Sequence, residues 1–259
     1  MIEAALFGAI AQSALLVGAL LVWKFPRLKK PAIVGGLMAF GAGAVISAVS
    51  IDLVAVSYDE AGELPTALGI AIGCVTYFLI IRFLERKHVD EQPGAAIATA
   101  HAQDSTETHG ATKQEARNLT VGMVIDGVPE SVAVGLTLHT AVIGVSAALV
   151  GSIFIAAIPE AIGIAAALLA GGIAIGSVLL RFSMIVIIGA VFAAVGYSLL
   201  YGASDSTQAI IQSIAAGALL VVVIDEMIPI AVRSIKGWAG ILGVAGFVFS
   251  AALTWASGG

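Results

Sequence analysis

Eight apolar runs succeed one another along the chain, near residues 3–23, 32–54, 66–84, 118–138, 142–170, 183–202, 208–232 and 237–256. Each is close to the roughly 20 residues an α-helix needs to cross bilayer hydrocarbon, so the pattern predicts eight transmembrane helices and no strands. The fifth run is the longest and is expected to be tilted or irregular. Polar residues gather between the runs and alternate in sign. Lys24, Arg27, Lys29 and Lys30 follow the first run, and Arg82, Arg86, Lys87, Lys113 and Arg117 bracket the long connection after the third. Arg181 follows the fifth run, and Arg233 and Lys236 follow the seventh. The other connections hold Asp59, Glu60, Glu63 and Asp205 instead. Lys and Arg concentrate on the cytoplasmic side, so both termini are expected outside and the number of spans even.

Composition leaves no room for a water-soluble fold. The chain is 59% hydrophobic and 11% charged, with a mean hydropathy of +1.06, against about 25% charged residues in soluble domains. The reading is an all-α membrane protein, one transmembrane domain over 1–259, multi-pass in the cell (inner) membrane with the lipid bilayer as its first partner. Met1 to Trp23 lacks a basic leader and reads as the first span rather than a cleaved signal. No basic patch interleaved with aromatics points to nucleic acid. Cys74 is the single cysteine and lies in an apolar run, as a small buried side chain. The connection 86–117 is small, polar and without hydrophobic period, which predicts a disordered cytoplasmic loop. Its His88, His101 and His109 have neither helix nor finger spacing, so a solvated linker is the favoured reading there. His139 is expected in a tight outer turn.

Chemistry enters with six acids inside the runs: Asp52, Asp126, Glu130, Glu160, Asp225 and Glu226. Asp126 and Glu130 stand four apart, on one face of a helix. Pro129 between them donates no backbone hydrogen bond, which frees the carbonyl of Ile125 and kinks the helix. Pro159 does the same before Glu160, and Pro229 frees the carbonyl of Asp225. A carboxylate beside a free carbonyl oxygen is what a hard or borderline divalent cation requires. Asp126, Glu130 and Glu160 have no Lys or Arg within the runs to neutralise them, so they are expected to be protonated, hydrated or bound to a cation. Asp52 stands near an outer end and has an interfacial alternative. Asp225 and Glu226 lie two turns from Arg233, with a salt bridge as theirs.

The sequence also repeats itself. Ala42 to Ile46 leads to Ile51-Asp52 in the second run, and Ala216 to Leu220 leads to Ile224-Asp225 in the seventh. The two runs point in opposite directions, as in the inverted repeats of secondary transporters.

Three stretches, IDGVPESVAVG at 125–135, IAAIPEAIG at 155–163 and AGALLVVVIDEMIP at 216–229, resemble the ZIP (Zrt/Irt-like) family of divalent metal transporters. So do the eight spans and the long loop after the third. The resemblance implies a 3+2+3 helix arrangement, an inverted repeat of spans 1–3 and 6–8, a metal site between spans four and five, and a homodimer. The chain departs from that family's pattern. Asp126 and Gly127 stand where the fourth-span motif has His-Asn, Ala156 and Ala157 precede Glu160, and no His lies in any run. What remains is one site of carboxylates and carbonyls at Asp126, Glu130 and Glu160, reached from outside past Asp52 and left toward Asp225 and Glu226, and all-oxygen sites suit Mn²⁺, Mg²⁺ or Ca²⁺ better than Zn²⁺.

The expected function is inward secondary transport of a divalent cation (Zn, Mn, Fe, Mg or Cd not distinguished) as substrate, with no organic cofactor. The alternatives are a degenerate relative that binds or senses metal, and a proton-coupled carrier of another solute. No GxxxxGK[ST], HExxH or Ser/His/Asp set appears, which argues against an enzyme.

Overall fold

A computed structural model describes the backbone of residues 1–87, 113–140, 143–199 and 203–256, and the side chains there except at 84–87, 113–119, 121–122, 125–126, 139–140 and 143–148. His88, His101, His109 and the side chain of His139 lie outside the described residues, as does most of the expected loop. Every described element is helical. They are α1 (Ile2–Lys24), α2 (Pro31–Ala48), α3 (Val56–Ala61), α4 (Glu63–Lys87), α5 (Lys113–Thr140), α6 (Ile143–Ala170), α7 (Ile175–Leu199), α8 (Asp205–Val222), α9 (Ile228–Ile235) and α10 (Trp238–Ala256). A π-helical segment, Val49–Ala55, joins α2 to α3, and a second, Val223–Met227, joins α8 to α9. The two joined pairs therefore run as single rods, Pro31–Ala61 and Asp205–Ile235.

Among the described residues seven helices or rods are long and apolar enough to cross a membrane, and α5 adds the apolar stretch Gly127–Leu138. The protein is an all-α, multi-pass membrane protein. Two boundaries differ from the hydropathy reading. The second rod runs on to Ala61, where Gly62 turns the chain at φ +84, so Asp59 and Glu60 sit on helix rather than in a loop. α7 starts eight residues before the predicted run, which places Arg181 inside the helix and not in a connection. It is half-buried there, donating from Nη1 to Thr120 Oγ1 on α5 at 3.3 Å. A long guanidinium stem can lie along an apolar helix while its head finds a polar partner, so reading the charge as a loop residue places such a boundary late. The expected loop 86–117 is also shorter at both ends, since α4 reaches Lys87 and α5 begins at Lys113.

Helix ends follow local chemistry. Pro31 opens α2, where a missing backbone N–H costs nothing. The Ser204 hydroxyl caps α8 by accepting from the Thr207 amide, and Asp205 adds negative charge to its first turn.

Several helices expose stripes of large apolar residues, and α1 buries mostly small ones. α7 presents Leu180, Met184, Ile187, Val191, Val195 and Leu199 outward, and α4 presents Leu64, Leu68, Ile72, Val75, Leu79 and Phe83. Spacings of three and four make each set one continuous lipid-facing stripe. The inward face of α1 is mostly alanine and glycine: Ala4, Gly8, Ala11, Ala14, Gly18 and Ala19. With no hydrophobic drive between helices in lipid, close backbone approach over small residues is what holds such a bundle.

Three crossings are built to the same plan. Gly43 on α2 meets the carbonyl of Gly243 on α10, and Gly246 in return meets that of Phe40. Gly217 on α8 meets the carbonyl of Ile70 on α4, and Gly73 meets that of Ile214. Gly135 on α5 meets the carbonyl of Ala193 on α7, and Gly196 meets that of Val132. In all six contacts a glycine touches the carbonyl three residues before the partner's glycine, and an added Cβ would collide with backbone. α1 packs against α5, α6 and α7, α5 lies along α7, and α6 lies along α2.

Candidate functional site

Two polar centres lie inside this apolar bundle. The first surrounds Glu130, which stands on the turn of α5 broken by Pro129 and is 8% exposed. Gln12 of α1, 2% exposed, points its amide at the same place. Its Nε2 donates to Glu130 Oε2 at 3.3 Å, and to the carbonyl of Gly127 and Ser131 Oγ at 3.4 Å each. Gly189 of α7 makes room for this side chain, because a Cβ there would fall 2.5 Å from Gln12 Cγ and 2.9 Å from Ser131 Oγ. A neutral amide thus offers its dipole to a buried carboxylate without bringing charge.

Glu160 lies on another helix that packs against α1. It is half-buried on the Pro159 turn of α6. Gly18 fits against that turn, where a Cβ would meet Ala161 Cβ at 2.5 Å and the Ile158 carbonyl at 2.8 Å. Gln12 and Gly18 are six residues apart, about 9 Å along a helix. Arg181 bonds Thr120, which is ten residues from Glu130 on α5, about 15 Å along the helix.

The second centre belongs to Asp52. It lies in the first π segment and is buried inside the bundle at 2% exposure. Thr254 Oγ1 of α10 donates to Asp52 Oδ1 at 3.4 Å and to the carbonyl of Ser250 at 3.4 Å. Ser250 Oγ in turn shares a 2.8 Å hydrogen bond with Ser152 Oγ of α6. Asp52 Oδ2 is buried with no hydrogen-bond partner, as are the hydroxyls of Ser47 and Ser57 on the same rod.

The other acids singled out by sequence stand as follows. Asp52 takes its own partners on α10. Asp225 is exposed and Glu226 half-buried on the second π segment. Asp126 lies on α5, one turn from Glu130, with its side chain outside the described residues. Among the described residues no three His, Cys, Asp or Glu stand together as a metal-binding group. Gln12 and Thr254 each attach one carboxylate to a different neighbour.

No family model matches the chain, and no curated protein matches it.

Gln12 left a readable signal that the acids overshadowed, since an amide in mid-span must find a partner. Thr254, Ser250 and Ser152 left none, because a helical hydroxyl can satisfy itself on its own preceding turn.

Proposed function

We propose that the protein is a secondary transporter that carries a divalent metal cation inward across the cell membrane, as the resemblance to the ZIP family implies. The cation would bind between α5 and α6, at Glu130 and Glu160 with Asp126 as the third carboxylate, and leave past Asp225 and Glu226. The observation that carries this reading is Glu130: a carboxylate buried in mid-helix beside Pro129 and met from α1 by the amide of Gln12. A membrane acid so placed marks an ion path more often than a structural contact.

The rods Pro31–Ala61 and Asp205–Ile235 support the inverted repeat of spans 1–3 and 6–8, because each carries its π segment at the same distance from its glycine crossing. Such repeats let one bundle rock against another around a midplane site, and the glycine-lined contacts of α1 suit a sliding surface. Eight spans in a 3+2+3 arrangement, both termini outside and a homodimer complete the reading.

The test is uptake into proteoliposomes of a panel of divalent ions, among them Mn²⁺, Zn²⁺ and Mg²⁺. At least one ion is expected to enter saturably, and Glu130→Ala or Glu160→Ala to abolish its flux while the protein stays folded. Undiminished uptake by both variants would remove these carboxylates from the path.

A further inference from the structure

We infer that Asp52, Thr254 Oγ1 and the carbonyl of Ser250 form a binding site for one sodium-sized monovalent cation, separate from the carboxylates of α5 and α6. Charge is the first argument. Asp52 is a single carboxylate at 2% exposure whose Oδ2 has no hydrogen-bond partner. No Lys or Arg occurs between Lys30 and Arg82, and the donor to its Oδ1 is a neutral hydroxyl. A buried anion so placed requires one positive charge. A divalent ion would leave the site with one charge in excess, whereas a monovalent ion cancels it.

Geometry is the second. Thr254 Oγ1 stands 3.4 Å from both Asp52 Oδ1 and the Ser250 carbonyl. Well-made O–H···O bonds are shorter, about 2.5–3.0 Å. A separation of 3.4 Å is also the edge of an octahedron of oxygens about 2.4 Å from a central ion, so these oxygens can admit an ion of calcium's size between them. Sodium is nearly the same size and carries half the charge.

The backbone is the third. The π segment inserts an extra residue into the helical turn at Asp52 and sets carbonyls out of their usual register, a distortion common at functional sites. Ser47 and Ser57, five residues to either side, are buried with unpartnered hydroxyls and add oxygen donors to the rod without adding charge.

The site has a route to the rest of the molecule. Ser250 Oγ bonds Ser152 on α6, and Glu160 lies eight residues further along that helix, about 12 Å. Coupling of sodium occupancy to divalent flux rests on the function proposed above. The binding of sodium does not.

The experiment keeps the two apart. Purified full-length protein in detergent, freed of divalent ions by chelator and held in choline chloride, is titrated with NaCl, and in parallel with KCl, at constant ionic strength. A saturable, sodium-specific rise in unfolding temperature is expected, since a ligand that binds only the native state stabilises it. Thr254→Val should weaken the apparent affinity about tenfold, and Asp52→Asn should remove the response. Absence of any sodium-specific shift in the wild-type protein overturns the inference, whatever the variants do. So does a response that follows pH alone, which would mean that Asp52 holds a proton. Sodium binding without divalent uptake would leave this site standing and sink the transport reading instead.

Discussion

On the rod Pro31–Ala61, Gly43 lies against the carbonyl of Gly243, and a π segment follows that carries Asp52. On the rod Asp205–Ile235, Gly217 lies against the carbonyl of Ile70, and a π segment follows that carries Asp225 and Glu226. The shift that lays Gly43 on Gly217 also lays Phe40 on Ile214 and the start of one π segment on the start of the other. It lays Asp52 on Glu226, one place later than the pairing with Asp225 suggested by the bare sequence. Yet the two acids live in different worlds. Asp52 is buried against hydroxyls of α10, while Glu226 is half-buried beside the exposed Asp225. The backbone plan is common to both rods and comes from glycine. What each carboxylate can do is decided by neighbours outside the repeat.

The strongest way to break the comparison is to fill the crossings. Gly43→Ala and Gly217→Ala each push a Cβ into a partner's backbone, which cannot turn aside as a side chain would. Each is expected to cost about 3 kcal/mol of stability, read by unfolding in detergent micelles. Similar losses would establish the shared plan. A Gly217→Ala protein within about 0.5 kcal/mol of wild type would show that the two crossings only look alike.

A smaller effect, of about 1–3 kcal/mol for buried acceptors left without their donor, is expected from Gln12→Leu. It isolates the third environment, in which Glu130 is met by an amide. The comparison sharpens if the same assay gives the opposite sign at Asp52. In sodium-free buffer Asp52→Asn should unfold at least as high as wild type, by up to about 1 kcal/mol, because it removes an uncompensated buried charge. A clear loss of stability in that buffer would mean that the protein already satisfies the anion.

Hydropathy made the membrane class and most helix positions legible, because a span must be apolar over its full length whatever it packs against. Reading Arg181 as a loop charge set the start of α7 late, although the helix around it is strongly apolar and its head reaches Thr120. The repeat was visible through Ala42-Gly43 and Ala216-Gly217, but its register was not. Only the contacts with Phe40 and Ile214 fix it, and those lie between segments far apart in the chain. Glu130 and Asp52 were legible as costly residues. Their partners were not, since Gln12, Thr254 and Ser250 become significant only once α1 and α10 are placed beside them.

The smallest effect tests the one link that joins the Asp52 rod to α6. Ser152 and Ser250 share a 2.8 Å bond, both buried. Ser152→Ala removes a hydroxyl while leaving a volume the small-residue interface tolerates. Hydrogen bonds between membrane helices average about 0.6 kcal/mol, so stability should fall by about that much. The informative reading is the pairing with Thr254→Val in a double-mutant cycle. If Asp52, Thr254, Ser250 and Ser152 act as one polar line, the two losses will not add, as expected of residues sharing a network. Strict additivity would show that α6 does not feel the Asp52 centre, and the asymmetry between the rods would then end at α10.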